Sequence, residues 1–80
     1  MTLGSLSSGD HGYKRIENVV PIGYTPWIAT AAISSVNAVQ GTLILSADCG
    51  GRDIYVSYYA LANITEAQSN VNYFVLCKKN

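Results

Sequence analysis

The hexapeptide Asp48-Cys-Gly-Gly-Arg-Asp53 is the strongest turn signal in the chain, because two adjacent glycines permit positive φ at little steric cost. A run of β-formers lies on either side of it. In Gly41 to Ala47, Leu43 and Leu45 face one way and Ile44 the other; in the stretch beginning at Asp53, Ile54, Val56 and Tyr58 alternate with Tyr55, Ser57 and Tyr59. This spacing predicts an antiparallel hairpin, and the rest of the chain repeats the pattern. Short strands are expected at Tyr13 to Val20, at Tyr24 to Ser34 and at Val71 to Cys77, with Gly, Pro, Asn and Asp between them. In Tyr24 to Ser34, Trp27, Ala29, Ala31 and Ile33 share one face, and Pro26 belongs at the start or on an edge because proline cannot donate to a ladder. Ser34 to Gln40 reads as a polar connection. Helix competes only there and at Tyr59 to Gln68, and neither segment sustains a 3.6-residue period. The expected class is therefore all-β, a small antiparallel sandwich or barrel.

The strands also carry a mismatch. A sheet with one wet face should be apolar on one side and polar on the other. Here Tyr55 and Tyr59 point away from the face that Val56 and Tyr58 fill, and Phe74 and Leu76 oppose Val71, Tyr73, Val75 and Cys77 on the last strand. Two apolar faces in a chain of 80 residues imply a second buried surface, supplied by other copies of the chain. The competing reading is that tyrosines tolerate half exposure, ring packed and hydroxyl wet. A domain this size buries only roughly 60–65% of its unfolded surface, so reinforcement by a partner suits it.

Five basic residues balance five acidic ones, and 12% of the chain is charged. Nucleic-acid binding needs clustered Lys and Arg, whereas Lys14-Arg15 and Lys78-Lys79 are the only basic pairs. No apolar run reaches the length of a membrane span, and the N-terminus lacks the basic-then-apolar pattern of a secretion signal. Residues 1–12, rich in Gly and Ser, read as an extended lead-in or tether, with a single domain over 13–80. The two cysteines, Cys49 and Cys77, either bridge or remain small buried hydrophobes, and no Cys and His cluster at zinc spacing exists.

The lead-in LGSLSSGD, the Gly-Tyr-Thr-Pro turn feeding an apolar strand in PIGYTPWIATAAIS, the tyrosine-rich DIYVSYYALANIT ending in an Asn-x-Thr loop, and the strand NVNYFVLCKKN together span most of the chain. In this pattern the chain resembles the small β-sandwich head domains of bacteriophage and prophage tail-fibre and baseplate proteins. The resemblance implies a jelly-roll-like β-sandwich assembled as a homotrimer. It also implies receptor binding at the virion's fibre tip, or extracellularly, with bacterial surface polysaccharide as the partner and neither catalysis nor a cofactor. A purely structural fibre cap and a cell-wall-binding module of a lytic enzyme are the alternatives.

Aromatic side chains stack on the apolar faces of sugar rings, and polar ones hydrogen-bond the hydroxyls. Tyr24, Trp27, Tyr55 and Tyr59 supply the first kind; Asp48, Arg52 and Asp53 supply the second. For Trp27 the core is the stronger expectation, since tryptophan is usually well buried. Asp48 and Asp53 as an acid and base pair, and Asp10-His11 as a metal ligand on a symmetry axis, are each weaker than a local backbone role for an aspartate in a turn or a solvated histidine in a loop. Asn63-Ile-Thr65 matches the glycosylation pattern, but an asparagine closing a strand is the better reading.

Overall fold

The computed structural model describes residues 1–33 and 42–80; the expected polar connection at 34–40 and the expected start of the third strand at Gly41 lie outside them. Among the described residues the chain is nearly all β, with antiparallel sheets and a single 3₁₀ turn, Glu66–Gln68. Five strands form: β1 His11–Ile16, β2 Tyr24–Ile33, β3 Leu43–Gly50, β4 Asp53–Ala60 and β5 Val71–Lys79. One sheet has the order β1-β4-β3, and the other pairs β2 with β5.

The hairpin forms where the glycines require it. Gly50 pairs with Asp53, leaving Gly51 and Arg52 as a two-residue turn, and Gly51 carries φ +62°. Positive φ at the first central position gives the hairpin turn whose twist matches the strands it joins. β4 then becomes the middle strand, with Tyr58 opposite Leu45 on one side and Gly12 on the other. Ile54, Val56 and Ala60 on its inward face are fully buried. Gly12 is what the neighbouring Tyr58 tolerates: a Cβ there would lie 3.1 Å from the tyrosine hydroxyl.

The core is aliphatic and drawn from both sheets. Leu43, Ile54, Val56, Ala60, Ile64 and Val71 form one cluster with Leu3 and Leu6, and Ala29, Ala31, Ile33 and Val75 of the β2–β5 pair pack against it. The participation of Leu3 and Leu6 departs from the free tether read in residues 1–12. That segment is extended, as its Gly and Ser content suggests, but it is zippered along 60–71. Leu6 exchanges both backbone hydrogen bonds with Ile64 at 2.8 Å, the Leu3 N–H reaches the Ser69 carbonyl at 3.1 Å, and the Gly9 N–H reaches the Ala60 carbonyl at 2.7 Å. Buried Ser69 donates its hydroxyl to the Gly4 carbonyl at 2.7 Å, so the contact also satisfies a polar group that burial would otherwise penalise. Asn63 lies three residues beyond the end of β4 and does not close it; its Oδ1 accepts the Ser8 N–H at 2.9 Å and so holds the lead-in.

Two further expectations are corrected. The first strand stops at Ile16 rather than running to Val20, because Asn18 adopts φ +57° and donates its backbone N–H to Asp53 Oδ1 at 2.9 Å. Trp27 does not join the core. The ladder pairs Pro26 with Cys77 and Ile28 with Leu76, leaving Trp27 as the extra residue of a bulge. Proline supplies no N–H to continue the ladder, and the inserted residue swings the indole out, where it is 61% exposed.

Candidate functional site

None of the eight aromatic side chains is buried. The core is filled by Leu, Ile, Val and Ala; Tyr58 packs half-buried against it and Tyr73 shares the Val71 and Val75 face of β5, while Tyr13, Tyr55 and Tyr59 on one sheet and Trp27 and Phe74 on the other stand outside.

On the three-stranded sheet, period-two alternation brings the odd-numbered residues of β1 and β4 to the outer face beside the even-numbered residues of β3. The registers align His11, Tyr59 and Ile44 in one row, Tyr13, Ser57 and Ser46 in the next, and Arg15, Tyr55 and Asp48 in the third. The His11 imidazole stacks on the Tyr59 ring, with centroids 5.9 Å apart and planes 16° from parallel. His11 Nδ1 also lies 3.1 Å from the Gly9 carbonyl, which orients the ring. Tyr13 and Tyr55 meet at the same 5.9 Å, tilted by 60°, in the tilted geometry that aromatic pairs favour. The Tyr55 ring also covers Gly50, where an added Cβ would approach to 2.9 Å. Beside the Tyr59 ring, over β3 and β4, lies a shallow depression of about 160 Å³ lined by Ile44, Ser46, Ser57, Tyr58 and Tyr59. That is well under the roughly 300–1,000 Å³ of a pocket that engulfs a drug-sized ligand. The arrangement offers ring faces, phenol groups and two serine hydroxyls to something that lies on the surface.

At the hairpin end of this sheet, Arg52 and Asp53 are committed to the fold. Asp53 Oδ2 accepts from Arg15 at 2.8 Å from Nε and 2.6 Å from the terminal nitrogen, Oδ1 accepts from the Asn18 backbone, and the side chain is 12% exposed. The Asn18 bond first, and the Arg15 bond second, hold the Asp53 carboxyl below its ordinary value. Arg52 Nε donates to the Val20 carbonyl at 2.9 Å, and the Val20 N–H donates back to the Arg52 carbonyl at 3.1 Å, which clamps the buried Val20 beneath the turn.

Tyr24 and Trp27 stand on the other sheet. The Lys78 ammonium lies 5.7 Å from the Trp27 ring centroid, within cation–π range. Tyr24 pairs with Lys79 at the end of the ladder, and nearby the Thr25 hydroxyl hydrogen-bonds Asn80 Oδ1. Beyond the bulge, Ile28 and Leu76, then Thr30 and Phe74, share the outer face, and Phe74 is 60% exposed.

Of the seven residues singled out in the sequence, the structure thus brings Tyr55, Tyr59 and Asp48 together on one face, places Arg52 and Asp53 in the turn beside it, and sets Tyr24 and Trp27 on the second sheet. Sequence reasoning passed over His11 and Tyr13 as members of the tyrosine face. The alternation His11, Tyr13, Arg15 was available, but the Gly and Ser content of the preceding segment put the strand's start two residues late. Comparison with protein-family models, with curated proteins and with solved structures finds no match for this chain.

Proposed function

We propose that this chain is a non-catalytic carbohydrate-recognition module, the head of a bacteriophage or prophage tail fibre. In this reading the two sheets are the layers of a jelly-roll-like β-sandwich, copies of the chain assemble as a homotrimer, and a bacterial surface polysaccharide lies across the β1-β4-β3 face. The observation that carries it is the gathering of the His11–Tyr59 and Tyr13–Tyr55 ring pairs on one outer face, beside a shallow depression that Ser46 and Ser57 line. A sugar presents C–H groups on one face and hydroxyls around its edge. Tyr59 and Tyr13 offer π-faces to the former, while Ser46 and Ser57 offer hydrogen bonds to the latter. The depression is too small to enclose a chain of sugars but suits one residue of a polymer resting on the sheet.

The test is a screen of purified bacterial surface polysaccharides and a glycan array, read with the wild-type protein and with Tyr59→Ala and Ser57→Val. Binding by the wild type that falls about tenfold or more in both variants, a loss of about 1.4 kcal/mol at 25 °C, with melting temperatures preserved, supports the reading. Binding that is indifferent to both variants would overturn the assigned face. A second reading, a structural cap that only assembles, draws on the apolar outer face of the β2–β5 pair. It requires that host adsorption by the parent fibre be unchanged in Tyr59→Ala.

A further inference from the structure

Cys49 and Cys77 are both free thiols, one at the end of each sheet. Cys49 shares its face of β3 with Leu43, Leu45 and Ala47 and sits opposite the buried Ile54. Cys77 shares its face of β5 with Val71 and Val75, which pack on the core from the other side. Both are half-buried on the core-facing sides of their strands, and β2, whose Pro26 is the ladder partner of Cys77, packs against β3, which brings the two thiols to the same end of the molecule. We propose that this facing pair is a redox site, closing reversibly into an intramolecular disulfide that ties β5 to the β3–β4 hairpin.

The step is thiol–disulfide exchange with a small external disulfide such as oxidised glutathione. One cysteine thiolate attacks the external disulfide, forming a mixed disulfide and releasing one small thiolate. The second cysteine thiolate attacks the protein sulfur of that mixed disulfide, forming the Cys49–Cys77 bond and releasing the other. The two protein thiols are oxidised, the external disulfide is reduced to two thiols, and the protons from Cys49 and Cys77 pass to them. Burial, then the Asp48 carboxylate, pushes the Cys49 thiol above its ordinary value, which keeps its thiolate scarce near neutral pH. Closure should therefore accelerate as the pH rises. A disulfide needs its Cα atoms about 4.4–6.8 Å apart, so closure fixes the spacing of the sheets at this end, where Lys78 and Trp27 also lie.

The experiment treats the native protein with oxidised glutathione and follows it by thiol titration, intact mass and non-reducing peptide mapping. The expected result is simultaneous loss of both thiols, a single 49–77 bridge within one chain, and a melting temperature raised by on the order of 10 °C and restored by dithiothreitol. Cys49→Ser and Cys77→Ser, both close in size to the native residue and checked for folding by circular dichroism, should each yield only a glutathione adduct at the remaining cysteine. Stable glutathione adducts on both cysteines of the wild type, disulfides between chains, or a bridge that forms only in denaturant would overturn the proposal. The outcome does not depend on carbohydrate binding.

Discussion

Asp53 and Asn18 show how much of this fold hangs on single side chains. Asp53 holds the turn after β1 to the start of β4 by accepting from Asn18 and Arg15, and those bonds lower its pKa from the ordinary 3.8. A carboxylate whose pKa is lowered on folding stabilises the native state above its unfolded value and loses that contribution as the pH falls through the folded one. Urea midpoints measured from pH 7 downward should hold until about pH 4 and then fall, and Asp53→Asn should lower the neutral midpoint and flatten the acid limb. Asn18, at φ +57°, occupies a conformation that asparagine and glycine tolerate and branched residues do not. Asn18→Gly should therefore leave the urea midpoint nearly unchanged, whereas Asn18→Val should cost about 1–2 kcal/mol. Neither role was legible in the sequence. Aspartates flanking a glycine turn advertise local backbone bonds, and nothing in the spacing of residues 15, 18 and 53 reveals that a distant turn would claim one of them.

At the level of strands, β3, β4 and β5 were readable because each keeps an unbroken period of two between clear turn signals, even though apolar residues stand on both of its faces. Besides the bounds of β1, the elements misread are the two where that signal fails. Pro26 interrupts β2, so the face assigned to Trp27 by counting twos is the wrong one. The lead-in carries two leucines three residues apart among Gly and Ser, a pattern with no strand period, and only the carbonyls and amides of 60–71 turn it into part of the core. Its weight can be measured. Leu6→Ala should destabilise the protein by about 2–4 kcal/mol, comparable to truncating a buried β4 side chain, whereas in a free tether the change would be neutral. Equilibrium urea denaturation distinguishes the two.

For the molecule as a whole, the described chain measures 42 × 22 × 16 Å with a radius of gyration of 13.4 Å, more elongated than the roughly 12 Å of a compact chain this long. Its core is small, while Ile28, Phe74 and Leu76 stand on the outer face of a sheet only two strands wide. A two-stranded sheet is marginal unless something covers it, and the two-faced strands read from the sequence led to the same expectation. Light scattering during size-exclusion chromatography should therefore give a multiple of the 8.6 kDa chain mass. Phe74→Ser combined with Leu76→Ser should return the protein to monomer mass while the β1-β4-β3 face keeps its ligand. Monomer mass for the wild type would remove the assembly from the proposed function and leave the aromatic surface to be judged alone.

The bulge at Trp27 also fixes what the chain will report optically. Its indole, the only one present, lies outside the core and close to an ammonium, so native emission should already be red-shifted, and melting the interior should change it little. Fluorescence followed at the tryptophan maximum would then register the covering of the β2–β5 sheet, by a blue shift, and would be nearly blind to unfolding. Circular dichroism would see the unfolding and miss the covering. Recorded side by side on one concentration series, the two signals would separate the association of this protein from its folding.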